Sequence, residues 1–214
     1  MKKGIIVIFG CLLISGPMMA QTFSITGFGG YTFQDKVNFS NAYGYINAGG
    51  HWGLSLEGIN REGHAFEILY QQQNTHAPLY DYGSGFKLNP EKDNVALSYI
   101  MANALHYMMY NPRVQPYGGL GIGAAIIKSD GKDLIGTPYS ESSTKFAWDA
   151  KLGVKIKAGD VVGIKLQAQI FSVVQAAGAG FYGGTGGSGA YVSSYSSIYQ
   201  FAFTGGLCFD FAKK

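Results

Sequence analysis

The chain has 214 residues, 32 of them glycine, with 15 tyrosines, 14 phenylalanines and only 14% charged residues. Its 16 basic and 13 acidic side chains leave a net charge of +3, which gives no electrostatic case for nucleic acid or for an acidic substrate. Cys11 and Cys208 are the two cysteines, and the first falls in a leader-like segment, so no internal disulfide is expected.

Met1 to Ala20 carries Lys2 and Lys3, an apolar run from Gly4 to Ile14, and then small and turn-forming residues ending "GPMMAQ". This is the layout of a secretory signal peptide, with cleavage expected after Ala20. The run is too short to span a bilayer as a helix, and Cys11 stands too early for a lipoprotein site. Without Lys2 and Lys3 the remainder, 21–214, has 14 basic against 13 acidic residues, a net charge of +1. By size it is one domain.

Along the chain, strand-like runs alternate with breakers. The first run, "FSITGFGGYTF", is irregular enough to predict a bulge near Gly29. Short connections follow at "NREG" (Asn60 to Gly63), "NPRV" (Asn111 to Val114) and "KAGD" (Lys157 to Asp160). Longer polar or glycine-rich stretches lie at 34–44, 77–92, 129–144 and 176–194. Four long and three short connections join eight strands in up-and-down order, with both termini on the side of the short turns.

The faces say which environment surrounds the sheet. In Phe146 to Ile156 one face is Phe146, Trp148, Ala150, Leu152, Val154 and Ile156; the other is Ala147, Asp149, Lys151, Gly153 and Lys155. In Val162 to Ile170, Val162, Ile164, Leu166, Ala168 and Ile170 oppose Gly163, Lys165, Gln167 and Gln169. The last run puts Tyr199, Phe201, Phe203, Leu207, Phe209 and Phe211 on one face. In "NVALSYIMANALHYMM" the apolar face reads Val95, Leu97, Tyr99, Met101, Leu105 and Tyr107, with Ile100 intruding on the other. Apolar faces of membrane-spanning length, with aromatics such as Phe23, Tyr31, Phe33, Phe146, Tyr199 and Phe211 at strand ends, favour lipid outside and a polar lumen inside. The expected fold is therefore all-β: an eight-stranded up-and-down antiparallel transmembrane β-barrel.

Signal peptide, alternating connections, the glycine-rich fifth strand "PYGGLGIGAAI" and the aromatic last strand together resemble the eight-stranded outer-membrane β-barrels of Gram-negative bacteria, the OmpA-type and OmpX-type porin-like family. The resemblance covers Gln21 to Phe211. It implies residence in the cell outer membrane, outer-membrane lipid as the surrounding partner, a monomer, and long loops available to an extracellular ligand or host surface. In that family the chain usually stops at an aromatic residue, whereas here Phe211 is followed by Ala212, Lys213 and Lys214. The peptidoglycan-binding domain of longer relatives is expected to be absent.

Sharper motifs have simpler readings. "GLGIGA", Gly119 to Ala124, matches a dinucleotide fingerprint in form, yet no strand–turn–helix unit surrounds it; its glycines make lumen space. His51 and Ser55 share a polar face opposite Trp52, Leu54 and Leu56, so they read as lumen residues rather than an outward hydrolase pair, and His106 reads the same way. His64 and His76 converge with nothing at metal-ligand spacing, and "SDGKD" lacks the alternating oxygens of a calcium loop. No catalytic, cofactor-binding or metal-binding set is expected, hence no cofactor and no enzyme.

One constellation has physical content. Glu57 and Glu67 flank the first short turn, Lys155 and Lys165 flank the third, and Asp210 lies at the same end of the last strand. All five are expected to enter the lumen near the periplasmic mouth as a plug of ion pairs, because buried charges need partners. The expected function is a structural or surface-interaction role with a filled lumen. A narrow channel for small solutes and an outer-leaflet lipid-modifying enzyme are the alternatives.

Overall fold

A computed structural model describes residues 22–38, 42–81, 83–85, 94–132, 138–174, 178–184, 187–193 and 198–212. The segment read as a signal peptide lies outside the described residues. Among the described residues thirteen strands follow in order: β1 (Thr22–Thr32), β2 (Asp35–Asn38), β3 (Ala42–Ile46), β4 (Gly49–Ile59), β5 (His64–His76), β6 (Leu79–Asp81), β7 (Asn94–Tyr107), β8 (Val114–Lys132), β9 (Pro138–Lys157), β10 (Val162–Val174), β11 (Gly178–Gly184), β12 (Gly187–Ser193) and β13 (Ile198–Ala212). Eight of them close into an antiparallel barrel in the order β1, β13, β10, β9, β8, β7, β5, β4. The remaining five lie in the long connections: β2, β3 and β6 form a small sheet, and β11 pairs with β12.

Walking across the paired residues from Ser24 through Glu57, Glu67, Asn103, Gly121, Asp149, Phe171 and Gln200 returns to β1 at the level of residue 34, ten positions from the start. At about 3.3 Å per residue and 4.8 Å between strands, that stagger tilts the strands by about 40°. An eight-stranded barrel of this tilt leaves an interior wide enough for side chains only.

The outer surface is apolar. Leu54, Leu120, Leu152, Leu166 and Leu207 are exposed, and aromatic side chains mark both ends, Phe23, Phe209 and Phe211 at one and Tyr31, Phe33, Tyr199 and Phe201 at the other. Phe33 packs within the second group, its ring centroid 5.6 Å from Tyr31 and 5.7 Å from Phe201, and it lies 6.0 Å from the neighbouring Phe203. The exposed faces of β9, β10 and β13 are those the alternation predicts.

Three local expectations change. β1 has no bulge: it pairs residue for residue with β4 and β13 from Thr22 to Thr32. Its pattern is irregular because Phe28 points inward, where a Cβ on Gly53 or Gly206 would collide with it. β7 is inverted: Val95, Leu97, Tyr99, Met101, Leu105 and Tyr107 are buried inside, and Ile100 faces out. His106 consequently lies outside, its ring 4.8 Å from that of His64. Finally, most of the third long stretch is not loop, since β8 and β9 run on as a paired hairpin to Lys132 and Pro138.

Candidate functional site

The period of two delivers one residue in two to the lumen, and the register decides which of them meet. Glu57 and Glu67 are directly paired across β4 and β5, and Lys155 and Lys165 across β9 and β10. Like charges at opposed positions repel, so each must find its partner across the barrel rather than along the sheet. The side chains do this. Lys155 Nζ lies 2.6 Å from Asp210 Oδ1, and Lys165 Nζ lies 3.3 Å from Glu57 Oε1 and 3.6 Å from Glu67 Oε1. All five residues named from the sequence are buried and point into this one layer.

Two further charges complete it. Lys151 Nζ donates to Glu67 Oε2 at 2.7 Å and lies 3.3 Å from Asp149 Oδ2. Glu67 therefore has Lys151 as its nearest cation, not Lys165. Neutral groups supply the rest: Asn103 Nδ2 donates to Glu67 Oε2 at 2.8 Å, Tyr107 Oη to Glu57 Oε1 at 2.7 Å, and Gln169 Nε2 to Asp149 Oδ2 at 2.6 Å. Tyr117 Oη donates to Gln167 Oε1 at 2.8 Å, and the face of its ring lies 4.8 Å from Lys165 Nζ, a distance at which a cation is attracted to the ring quadrupole.

Glycines make the room. A Cβ on Gly121 would overlap Asn103 and Asp149, and one on Gly153 would overlap the Tyr117 ring. The glycines of "GLGIGA" thus line the lumen because bulkier groups from neighbouring strands occupy the space in front of them. The cavity left among Thr26, Phe28, Ser55, Glu67, Lys165 and Thr204 is about 10 Å³, room for one water molecule.

Towards the loop end the filling changes character. Tyr99 stacks on Phe171 at 4.3 Å and 19°, within a cluster that includes Val95, Leu97, Val173, Ile198 and, from the small sheet, Ile46. Tyr99 Oη donates to Gln200 Oε1 at 2.8 Å. His51 bridges Thr32 Oγ1 at 2.9 Å and Thr204 Oγ1 at 3.0 Å. With both ring nitrogens turned to lumen hydroxyls, it presents nothing to lipid.

No protein-family model matches the sequence, nor does any curated protein. Solved structures do match. Neisserial surface protein A aligns with a TM-score of 0.54 at 15% identity, over 88% of this chain and 97% of that one. The outer membrane protein OprG of Pseudomonas aeruginosa gives 0.55 at 12%, over 91% and 97%. A major outer membrane protein of Thermus thermophilus gives 0.57 at 10%, over 87% and 99%. The fold is that of the eight-stranded outer-membrane β-barrels.

In a transmembrane barrel of this kind the lumen layer sits where water cannot easily reach, so its charges are held by each other. Asp149 and Lys151 escape a search confined to the strand ends, although stepping by two from Lys155 leads through Gly153 to both. Tyr107 escapes because the inverted reading of β7 turns it outward. At the loop end, Asp35 Oδ2 accepts from the Tyr199 N–H at 2.8 Å, pinning the small sheet to the rim. Burial pushes the Asp35 carboxyl above its ordinary range, although the Tyr199 and Lys36 N–H groups pull it down.

Proposed function

We propose that this chain is a non-enzymatic outer-membrane protein, exported by a signal peptide over Met1–Ala20, seated as a monomer in outer-membrane lipid, with a structural or surface-interaction role. The observation that carries this reading is the filled lumen. Among the described residues, seven buried lysines and carboxylates, their hydrogen-bonding neighbours and the apolar cluster above them occupy the barrel interior. A plug of this kind supports a non-conducting barrel over a channel. The lipid-modifying enzyme needs a nucleophile and base facing the membrane, and His51 and Ser55 are buried inside instead.

The loop end suits contact with an extracellular partner. Tyr43 stacks on Tyr80 at 5.4 Å and 17°, Tyr45 meets Tyr80 at 6.2 Å, and Lys36 Nζ sits 4.7 Å over the Tyr43 ring. Rigid tyrosines beside a cation offer large contact area at low entropic cost.

Planar-bilayer recording of the refolded protein tests the closed lumen. The expected trace has no steady single-channel current, and reproducible open levels would favour the channel.

A further inference from the structure

Among the described residues, the carboxylates and lysines of the lumen do not balance. Four carboxylates, Glu57, Glu67, Asp149 and Asp210, face three ammonium groups, Lys151, Lys155 and Lys165, and all are buried. The shortfall has an address. Gln169 Nε2 and Lys151 Nζ both approach Asp149 Oδ2, at 2.6 and 3.3 Å. Asp149 Oδ1 is buried with no partner, and so is Asn103 Oδ1. Both oxygens crowd the same point in front of Gly121, where a Cβ would overlap each of them. Two acceptors thus stand side by side and one hydrogen is missing. Turning the Asn103 amide does not supply it, because Nδ2 already donates to Glu67 Oε2 at 2.8 Å and rotation would set Oδ1 against that carboxylate.

We propose that the space between Asp149 Oδ1 and Asn103 Oδ1 is a proton-binding site: at neutral pH Asp149 is the neutral acid and donates its Oδ1–H to Asn103 Oδ1. The proton comes from solvent as the barrel folds, and no other bond changes. One proton then satisfies both orphaned oxygens and leaves three carboxylates against three ammonium groups. The charged groups facing Asp149 are Lys151 on its own strand and Glu67 on β5; β10 and β7 present the neutral Gln169 and Asn103. Glu67 is not the carrier, since Lys151 and Lys165 approach its two oxygens at 2.7 and 3.6 Å.

The sign of the linkage follows. An unfolded aspartate is ionised above about pH 4, so at neutral pH folding takes up one proton and stability falls as pH rises, until the proton is released from the folded barrel. Infrared spectra of the barrel refolded at pH 7 in bilayers of ether-linked phosphatidylcholine, which has no ester carbonyl, should contain a protonated-carboxyl C=O band that is missing from D149N. The amide introduced by D149N can still donate to Asn103 Oδ1, so this variant should fold. Between pH 6 and the bleaching of that band, the wild-type folding constant should drop about tenfold more per pH unit than that of D149N, a difference from which every other titrating group cancels. Carboxylate absorption alone at pH 7, a band that survives in D149N, or stability that changes on exchanging sodium for choline at fixed ionic strength would each overturn the proposal. Should D149N fail to fold, the wild-type band and its bleaching at alkaline pH still decide.

Discussion

The two halves of the lumen solve one packing problem by opposite chemistry. Near the termini the space is filled by charged residues and tyrosines, locked by Lys151–Glu67 at 2.7 Å and Lys155–Asp210 at 2.6 Å. Near the loops it is filled like a soluble core, by Tyr99 on Phe171 with Val95, Leu97, Val173 and Ile198 around them. The difference lies in what each half can tolerate. A desolvated ion pair is stable only while both partners are present, and loss of one leaves a bare charge in a water-poor interior. An apolar cluster loses contacts in proportion to the atoms removed, whichever atoms they are. The charged half should therefore be brittle but rescuable by a second change, and the apolar half graded and not rescuable.

The largest effect is expected from E67L, which strips Lys151 of its nearest carboxylate and should lower unfolding stability by about 3 to 5 kcal/mol. Adding K151M should recover a substantial part, because an apolar pair can replace a buried ion pair; purely additive losses in urea titrations of the cycle would show that the two do not act together. In the apolar half, F171A should cost about 3 to 4 kcal/mol through cavity formation and loss of the Tyr99 stack, and no change at Tyr99 should restore it. Combined with E67L its effect should add to within about 0.5 kcal/mol, since the two residues share no partner; strong coupling would mean the halves are one unit. On the outer face, L166R should cost about 2 to 4 kcal/mol as it meets hydrocarbon. The smallest effect belongs to Y107F, which removes the hydroxyl donated to Glu57 and should cost about 1.5 kcal/mol.

The same contrast explains what could be read in the sequence. Where the lumen is polar, outward and inward faces differ sharply, and β9, β10 and β13 declare their orientation through runs such as Leu152, Val154, Ile156 against Lys151, Gly153, Lys155. Where the lumen is apolar, both faces of a strand are apolar and alternation loses its sign. β7 shows this: its larger side chains, Leu97, Tyr99 and Met101, fill the interior, while Ala96, Ala102 and Ala104 face lipid beside Ile100. An outward alanine is acceptable in hydrocarbon, but a missing side chain in the core leaves a void, so size goes inside. Strand number and turn spacing were legible because they depend only on breakers. The pairing of Glu67 with Lys151 was not, because it depends on a stagger accumulated over several strands, and a shift of one residue exchanges faces. Phe28 was hidden for a related reason: an aromatic inside β1 makes sense only beside Gly53 and Gly206 on its neighbours.

An apolar outside and a filled inside can be tested together at two adjacent residues on β10. Leu166 is 48% exposed and Gln167, its neighbour, 9%. Single cysteines at these positions, in a C208S background, would be labelled with a fluorophore before folding and the protein refolded into bilayers carrying spin-labelled acyl chains. Strong quenching is predicted for the probe at 166, and little for the probe at 167. Quenching at 167 alone, or at neither position in a folded protein, would contradict the inside-out arrangement.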